Sequence, residues 1–408
     1  MRPLLFAILF FLCSKVLASS VMLGIDRFFA EGYSEGLKGK KVALVINHTS
    51  VDGKLKKTEE IFRQNAKEFD LVCLFTPEHG LEGHAYAEEI VHHKKTSHGL
   101  PVHSLHGETR RPTEAMLKGI DTIICDLQDI GVRSYTYATT LFYIMEEAAK
   151  RNISVIVLDR PNPLGGLLVD GPMLENPWRS FIGYINVPYC HGMTIGELAR
   201  FFNEEYEIGC KLSVVSMQGW KRSMLFRDTG LQWIPTSPNI PEPDTPLYYA
   251  TTGILASLCL VNTGVGFTLP YKIVGAPWIN ADTFAARLNA QKLPGVQFVP
   301  FHFRPFYGSM KGKDCHGVKI VATDHARYRP LAVQYIMIGV LKSLYPKTFK
   351  EAIQHLKTPL RDLFCKANGN QKMWDWLQKD EYIAWKFVGY QQKEREEYLE
   401  RRSPYLLY

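Results

Sequence analysis

The residues best suited to chemistry are Glu78 and His79 in "LFTPEHGLEG" (74 to 83), a carboxylate and an imidazole set directly after an apolar run and braced by Pro77 and Gly80. A chain leaving a buried strand usually turns on Gly, Asn or Asp, so an acid beside a base at that point suggests general acid or base work. Partial burial at a strand mouth predicts a raised Glu78 pKa; a cap or a surface carboxylate is the plainer reading. Similar residues follow three other apolar runs: Asn47 and His48 after "KVALVI", Asp126, Gln128 and Asp129 after "DTIIC", and Asp159, Arg160 and Asn162 after "SVIVL". "DLQDIGVRSYTY" adds Arg133, Tyr135 and Tyr137. Its Asp129 binds a ligand or pairs with Arg133. Asp159 binds a ligand or holds backbone amides in a loop restricted by Pro161 and Pro163.

The elements that must position these residues are legible as a rhythm. From residue 40, runs such as "KVALVINH", "DLVCLFT", "PVHSLHG", "DTIICDLQ", "SVIVLDR" and "KLSVVSM" alternate with amphipathic stretches such as "PTEAMLKGI" and "YATTLFYIMEEAAKRN". Continuous apolar strands separated by helices predict an α/β fold, a doubly wound Rossmann-like parallel sheet covered on both faces. In such sheets ligands bind beyond the carboxyl ends of the strands, where all four polar clusters fall. The proline-rich "WIPTSPNIPEPDTP" (233 to 246) breaks the rhythm, which divides the chain into a Rossmann-like domain over 19–245 and a smaller α/β (α+β) unit over 246–408. The second unit is expected to hold strands at "KIVGAPWI", "VQFVPFHF" and "GVKIVATD" and helices at "ADTFAARLNAQ", "LAVQYIMIGVLKSLY" and "QQKEREEYLERR".

Several function classes recede. The first strand is followed by "NHTSVDGK" rather than the G-x-G-x-x-G of a dinucleotide site, and no G-x-S-x-G nucleophile elbow occurs. Seven of the thirteen histidines lie between His79 and His106, yet no H-E-x-x-H or H-x-H spacing favours a metal, and His92-His93 beside Lys94-Lys95 reads as a solvated loop. The net charge is +7, or +5 without Arg2 and Lys15 of the opening segment, and the basic residues are scattered in short knots, so no nucleic-acid partner is expected. "MRPLLFAILFFLCSKVLASS" reads as a signal peptide over 1–18, with Val16-Leu17-Ala18 as cleavage site, which predicts export to the periplasm or medium. Its apolar run is too short for an ordinary span, and no stable membrane span is expected afterwards. Seven cysteines remain, without C-x-x-C spacing; Cys73 and Cys125 sit in apolar runs and read as core residues.

In order along the chain, "FTPEHG", "DLQDIGVRSYTY", "VLDRPNPLGG", "HGMTIGELA", "TSPNIP", "LPYKIVGAPWI" and the terminal "PYLLY" resemble the NamZ-type exo-β-N-acetylmuramidases over nearly all of the mature chain. The resemblance implies a smaller C-terminal domain closing over the cleft. It also implies release of N-acetylmuramic acid from the non-reducing end of peptidoglycan-derived muropeptides or the MurNAc-GlcNAc disaccharide, with no cofactor. On it Glu78 is the catalytic carboxylate, with His79, Asp126, Gln128, Asp129, Arg133, Tyr135 and His191 of "HGMT" around the sugar. Asn47, Asp159, Arg160, Asn162, Asn239 and Asn262 complete the expected substrate contacts. Arg133 or Arg160 would hold the lactyl carboxylate, and Asp126 or Asp129 would orient the acetamido group in a substrate-assisted hydrolysis. Two segments depart from the family pattern. "LVNTGVGFTLPYKIVGAPW" keeps Asn262 and Thr263 but lacks the Glu and Arg of "EGTN…GRGT", and "LEGHAYAEE" stands where "FRGDADAG" is usual. A non-catalytic muropeptide-binding protein and a metal-dependent peptidoglycan amidase are the competing expectations.

Overall fold

The computed structural model describes residues 21–408, so the leader expected over 1–18 lies outside the described residues. Seven strands form the larger sheet: β1 (Lys41–Ile46), β2 (Asp70–Thr76), β3 (Lys94–Lys95), β4 (Pro101–Ser104), β5 (Thr122–Asp126), β6 (Ser154–Leu158) and β7 (Lys211–Val215). Their order is β3-β4-β2-β1-β5-β6-β7, parallel throughout except for the short edge pair β3 and β4. The chain winds outward from β1 to β4 on one side and from β5 to β7 on the other. The topological switch point, where such sheets open a crevice, therefore lies between β1 and β5.

The continuous apolar strands follow from burial on both faces. Val42, Leu44 and Ile46 pack with Phe28 and Phe62 on one side of the sheet, while Ala43 and Val45 join Leu141 and Phe201 on the other. That second core runs without a break into the C-terminal half, through Ile254, Val274, Phe284, Val318 and Leu331. There β8 (Ile273–Ala276), β9 (Val296–Phe303) and β10 (Cys315–Ala322) form an antiparallel sheet in the order β8-β10-β9. No helix among the described residues is long and apolar enough to cross a membrane.

The segment 246–408 also packs against the larger sheet's layer away from the cleft. Its last helix, Gln392–Arg402, turns back onto the larger sheet's layer, where Tyr398 Oη donates to the His191 carbonyl (2.8 Å) and Arg402 Nη1 to the Gly192 carbonyl (2.7 Å). The terminal Tyr408 Oη donates to Asp159 Oδ2 at 2.7 Å, beneath the β6 end. Parts of it that reach the cleft include the β9–β10 connection, through Tyr307, and the helix Thr245–Ala256, whose Tyr249 Oη lies 3.3 Å from Ser134 Oγ.

Candidate active site

The "PEHG" segment folds as a tight turn in which the Gly80 N–H donates to the Pro77 carbonyl and His79 takes φ +71°. Such a turn demands a positive φ at its third residue, a conformation costly for a side chain other than Gly or Asn. The turn throws Glu78 inward against the first residue of the helix Thr136–Ala149, whose Thr136 Oγ1 donates to Glu78 Oε2 at 2.7 Å. The other oxygen, Oε1, accepts the Glu88 N–H at 3.0 Å and lies 3.6 Å from His106 Nε2. Burial pushes the Glu78 carboxyl up, but these donors, His106 and His79 outweigh it, and its pKa is held below the usual carboxylate value. The raised pKa expected from burial alone is thus corrected, because a buried acid supplied with donors and a helix N-terminus stays ionised.

Asp129 has the opposite environment. It is fully buried, its Oδ2 accepts only the Gly131 N–H (2.8 Å), its Oδ1 has no hydrogen-bond partner among the described residues, and burial pushes its pKa up to about 7. His191 Nε2 stands 3.8 Å from Asp129 Oδ2, while His191 Nδ1 accepts the Met193 N–H. That bond fixes the ring as the Nε2–H tautomer, and burial keeps it neutral by lowering its pKa to about 3. The expected alternative for Asp129, pairing with Arg133, does not occur. Arg133 instead donates to the carbonyls of Pro172, Val187 and Ala367.

Further residues named from the sequence turn out to be braces. Arg160 grips Asp126 through both oxygens and the Val51 carbonyl, and Thr58 Oγ1 also donates to that carboxylate. Both arginines expected at the lactyl carboxylate are buried and engaged within the protein, Arg160 with Asp126 and Arg133 with three carbonyls, while Arg133 Nε has no partner among the described residues. Asp159 is wholly enclosed by Arg160 N, Gly196 N, Thr194 Oγ1 and Tyr408 Oη, the backbone-holding role foreseen as its alternative. Asn162 bonds Leu164 N and the Met193 carbonyl; Asn262 bonds Gly264 N and the carbonyls of Val265 and Ser309. Gln128 Nε2 donates to the carbonyls of Asp129 and Pro161. The crevice beside Gln128 and Arg160, about 20 Å³, has room for one water and no sugar.

Among the buried polar side-chain atoms without partners among the described residues, which also occur elsewhere in the molecule, are Asn47 Nδ2, Thr76 Oγ1, His106 Nδ1, Asp129 Oδ1, Tyr135 Oη and Thr236 Oγ1. These six belong to residues at or near the carboxyl edge of the sheet, where a ligand would satisfy them. His106, Thr76, Thr136 and Thr236 were not singled out from the sequence; the histidine-rich stretch and "TSPNIP" were the signals available. Contacts close a ring around the site. Tyr137 Oη donates to the Thr236 carbonyl (2.7 Å), Tyr307 Oη to Asn239 Oδ1 (3.1 Å), the Tyr307 and Tyr86 rings lie 6.4 Å apart, and Glu88 returns to Glu78. No group of three or more His, Cys, Asp or Glu among the described residues could hold a metal ion. A separate apolar cavity of about 430 Å³, walled by Leu164, Leu168, Phe226, Leu247 and Arg329, shares no residue with this ring.

Family models describing the N-terminal and C-terminal parts of exo-β-N-acetylmuramidase NamZ match residues 42–244 and 247–408. The chain belongs to the NamZ family. A NamZ relative, the peptidoglycan β-N-acetylmuramidase NamZ of Bacillus subtilis (strain 168), is 40% identical over 331 residues, spanning 81% of this chain and 79% of that protein. Two solved structures of DUF1343 family proteins from Bacteroides fragilis share this NamZ fold. One superposes with a TM-score of 0.86 at 36% identity, covering 95% of this chain and 99% of the other; the second gives 0.70 at 26% identity, covering 96% and 99%.

Proposed function

We propose that the protein is an exo-acting glycosidase that releases N-acetylmuramic acid from the non-reducing end of peptidoglycan fragments, and that it works after export. The observation that carries the reading is a buried carboxyl group after each of two strands at one edge of the sheet: Glu78 after β2, held ionised by Thr136 Oγ1, the Glu88 N–H and His106, and Asp129 after β5, whose Oδ1 is unpartnered among the described residues and whose pKa burial raises to about 7. Two acids so divided can serve as proton donor and carboxylate in one hydrolysis. Asp129, held by the Gly131 N–H, gives its proton to the leaving glycosidic oxygen. Glu78 stays ionised, held by Thr136 and the Glu88 amide, and takes a proton from the water that bonds to the anomeric carbon as the bond to the leaving oxygen breaks. This exchanges the acid role first read for Glu78.

Lactyl recognition falls to Arg110. This exposed guanidinium makes no ion pair among the described residues, lies 4.3 Å over the Phe181 ring, and through that ring abuts His106, the neighbour of Glu78. A charge-assisted contact to the lactyl carboxylate would separate N-acetylmuramic acid from N-acetylglucosamine.

The test is hydrolysis of a chromogenic β-N-acetylmuramide beside the matching N-acetylglucosaminide. Release from the muramide alone supports the reading; Glu78→Gln should then lower kcat by about a thousandfold with binding retained. Silence on both substrates, with calorimetry still detecting the muramide, would instead identify a muropeptide-binding protein.

A further inference from the structure

The motif "VLDRPNPLGG" is only partly absorbed by the site at Glu78 and Asp129, for its Pro163, Leu164 and Gly165 wall the separate cavity of about 430 Å³. The loop is shaped to lie there. Gly165 takes φ +75°, and a Cβ on Gly166 would stand 2.7 Å from the Arg222 guanidinium carbon, so the two glycines let the chain rest against Arg222. The Gly166 N–H donates to the Arg222 carbonyl at 2.7 Å. On the same side the Phe226 N–H donates to the Pro163 carbonyl (3.3 Å), and the Phe226 ring meets Trp233 edge to face at 4.8 Å. The opposite wall comes from the C-terminal half, with Leu247 in the helix Thr245–Ala256 and Arg329 just before the helix Pro330–Leu344. Leu164, Phe226 and Leu247 are buried on the inner wall, whereas Leu167 (68% exposed) and Ala326 stand at the mouth. A chamber within the range of about 300–1,000 Å³ suits a small organic ligand, and the aliphatic lining selects an apolar body for it.

The charged groups of the lining do not cancel. Asp244 is answered by Lys272 (2.9 Å) and Arg222 by Glu197 (2.8 Å). Burial and the Arg227 charge hold His325 below its ordinary pKa, so the ring is neutral at neutral pH. That leaves Arg227 and Arg329 facing Asp228, whose Oδ2 already accepts the Leu225 N–H at 2.9 Å. Neither arginine makes an ion pair among the described residues. The one side-chain hydrogen bond of either there is a long one, from Arg329 Nη1 to the Tyr328 carbonyl (3.4 Å). A positive surplus above an aliphatic chamber fits an anionic head on charge-assisted N–H donors and an apolar tail below it. We propose that this cavity is a second ligand site that takes a small aliphatic carboxylate, its tail among Leu164, Leu168, Phe226 and Leu247 and its head on Arg227 and Arg329. The site stands apart from the glycosidase reading, since it uses none of the groups assigned to hydrolysis.

The experiment is a calorimetric titration of the full chain with three probes: decanoate, decylammonium with the same tail under a cationic head, and acetate with the head alone. Decanoate should bind at one site per chain, about tenfold or more tighter than either control. Arg227→Gln and Arg329→Gln should each weaken decanoate by about tenfold. Ala326→Trp fills the mouth from an exposed position, so it should abolish decanoate binding while the thermal midpoint of the free protein stays where it was. Absence of decanoate binding would overturn the proposal. So would decylammonium binding as tightly as decanoate, which would leave the arginines no part in it, or an unchanged decanoate affinity in the three variants, which would place the ligand elsewhere on the molecule.

Discussion

Glu78 and Asp129 show how two carboxyl groups at one sheet edge acquire different chemistry from their immediate partners. Glu78 has an N–H, a hydroxyl and two imidazoles; Asp129 has the backbone N–H groups of Gly131 and Ile130 and a neutral histidine 3.8 Å away, and burial dominates. Activity needs Glu78 ionised and Asp129 protonated. The protonated fraction of Asp129 falls as pH rises through about 7, so kcat/KM should decline on that alkaline limb and, on the acid side, only below Glu78's lowered pKa. Asp129→Asn should depress the whole profile and abolish the alkaline limb, which a pH series would reveal. At Arg110, replacement by Gln should raise KM for the muramide by about tenfold and leave kcat little changed; an unchanged KM would place the lactyl group elsewhere. Gly83 makes a steric prediction. With φ +72°, and with a Cβ only 1.9 Å from the His48 ring, Gly83→Ala should displace His48 from the Pro235 carbonyl and loosen the loop carrying Glu88. Limited proteolysis within residues 84–91 should become faster.

At the scale of elements, the helix Thr136–Ala149 delivers Thr136 to Glu78, and the helix Ile195–Glu205 anchors the opposite side. Its capping box pairs Thr194 with Glu197, and Thr194 also donates to Asp159. The C-terminal strap completes this layer, since Leu407 N and Arg222 both meet Glu197 and Tyr408 meets Asp159. Removing Leu406 to Tyr408 leaves these buried acids short of donors and should destabilise the fold by about 2–4 kcal/mol, seen as a lower thermal midpoint. Strand spans in both sheets were largely legible: "DLVCLFT" is β2 residue for residue in the larger sheet, and "VQFVPFHF" is β9 in the smaller. "PTEAMLKGI" yields only the short helix Glu114–Leu117. The helices between Pro346 and Gly389 are not among the elements read from the sequence; each is brief, from 6 to 11 residues, and the last buries Phe387 alone.

Across the whole molecule, Arg133 joins regions far apart in sequence, with carbonyl partners at Pro172, Val187 and Ala367. Its burial beside only carbonyl dipoles lowers its pKa to about 10, yet it remains charged at neutral pH. Arg133→Met removes three bonds across this junction and should cost about 3 kcal/mol of stability, with KM for the muramide unaffected; a raised KM in a fully folded variant would restore the substrate role. The seven cysteines of the described residues are all free, and Cys73 and Cys125 lie in the core as their apolar neighbours suggested.

The sequence by itself determined the doubly wound sheet, the strand ends that carry polar residues and the place of Glu78, because these depend on local periodicity and on which residue follows each strand. Tertiary structure decided which polar residues face the cleft and which are spent as braces. Asp126 and Arg160, or Asp159 and Tyr408, become partners only when strands distant in sequence are brought together. Whether a buried acid is ionised likewise depends on how many donors reach it, and those donors come from other parts of the chain.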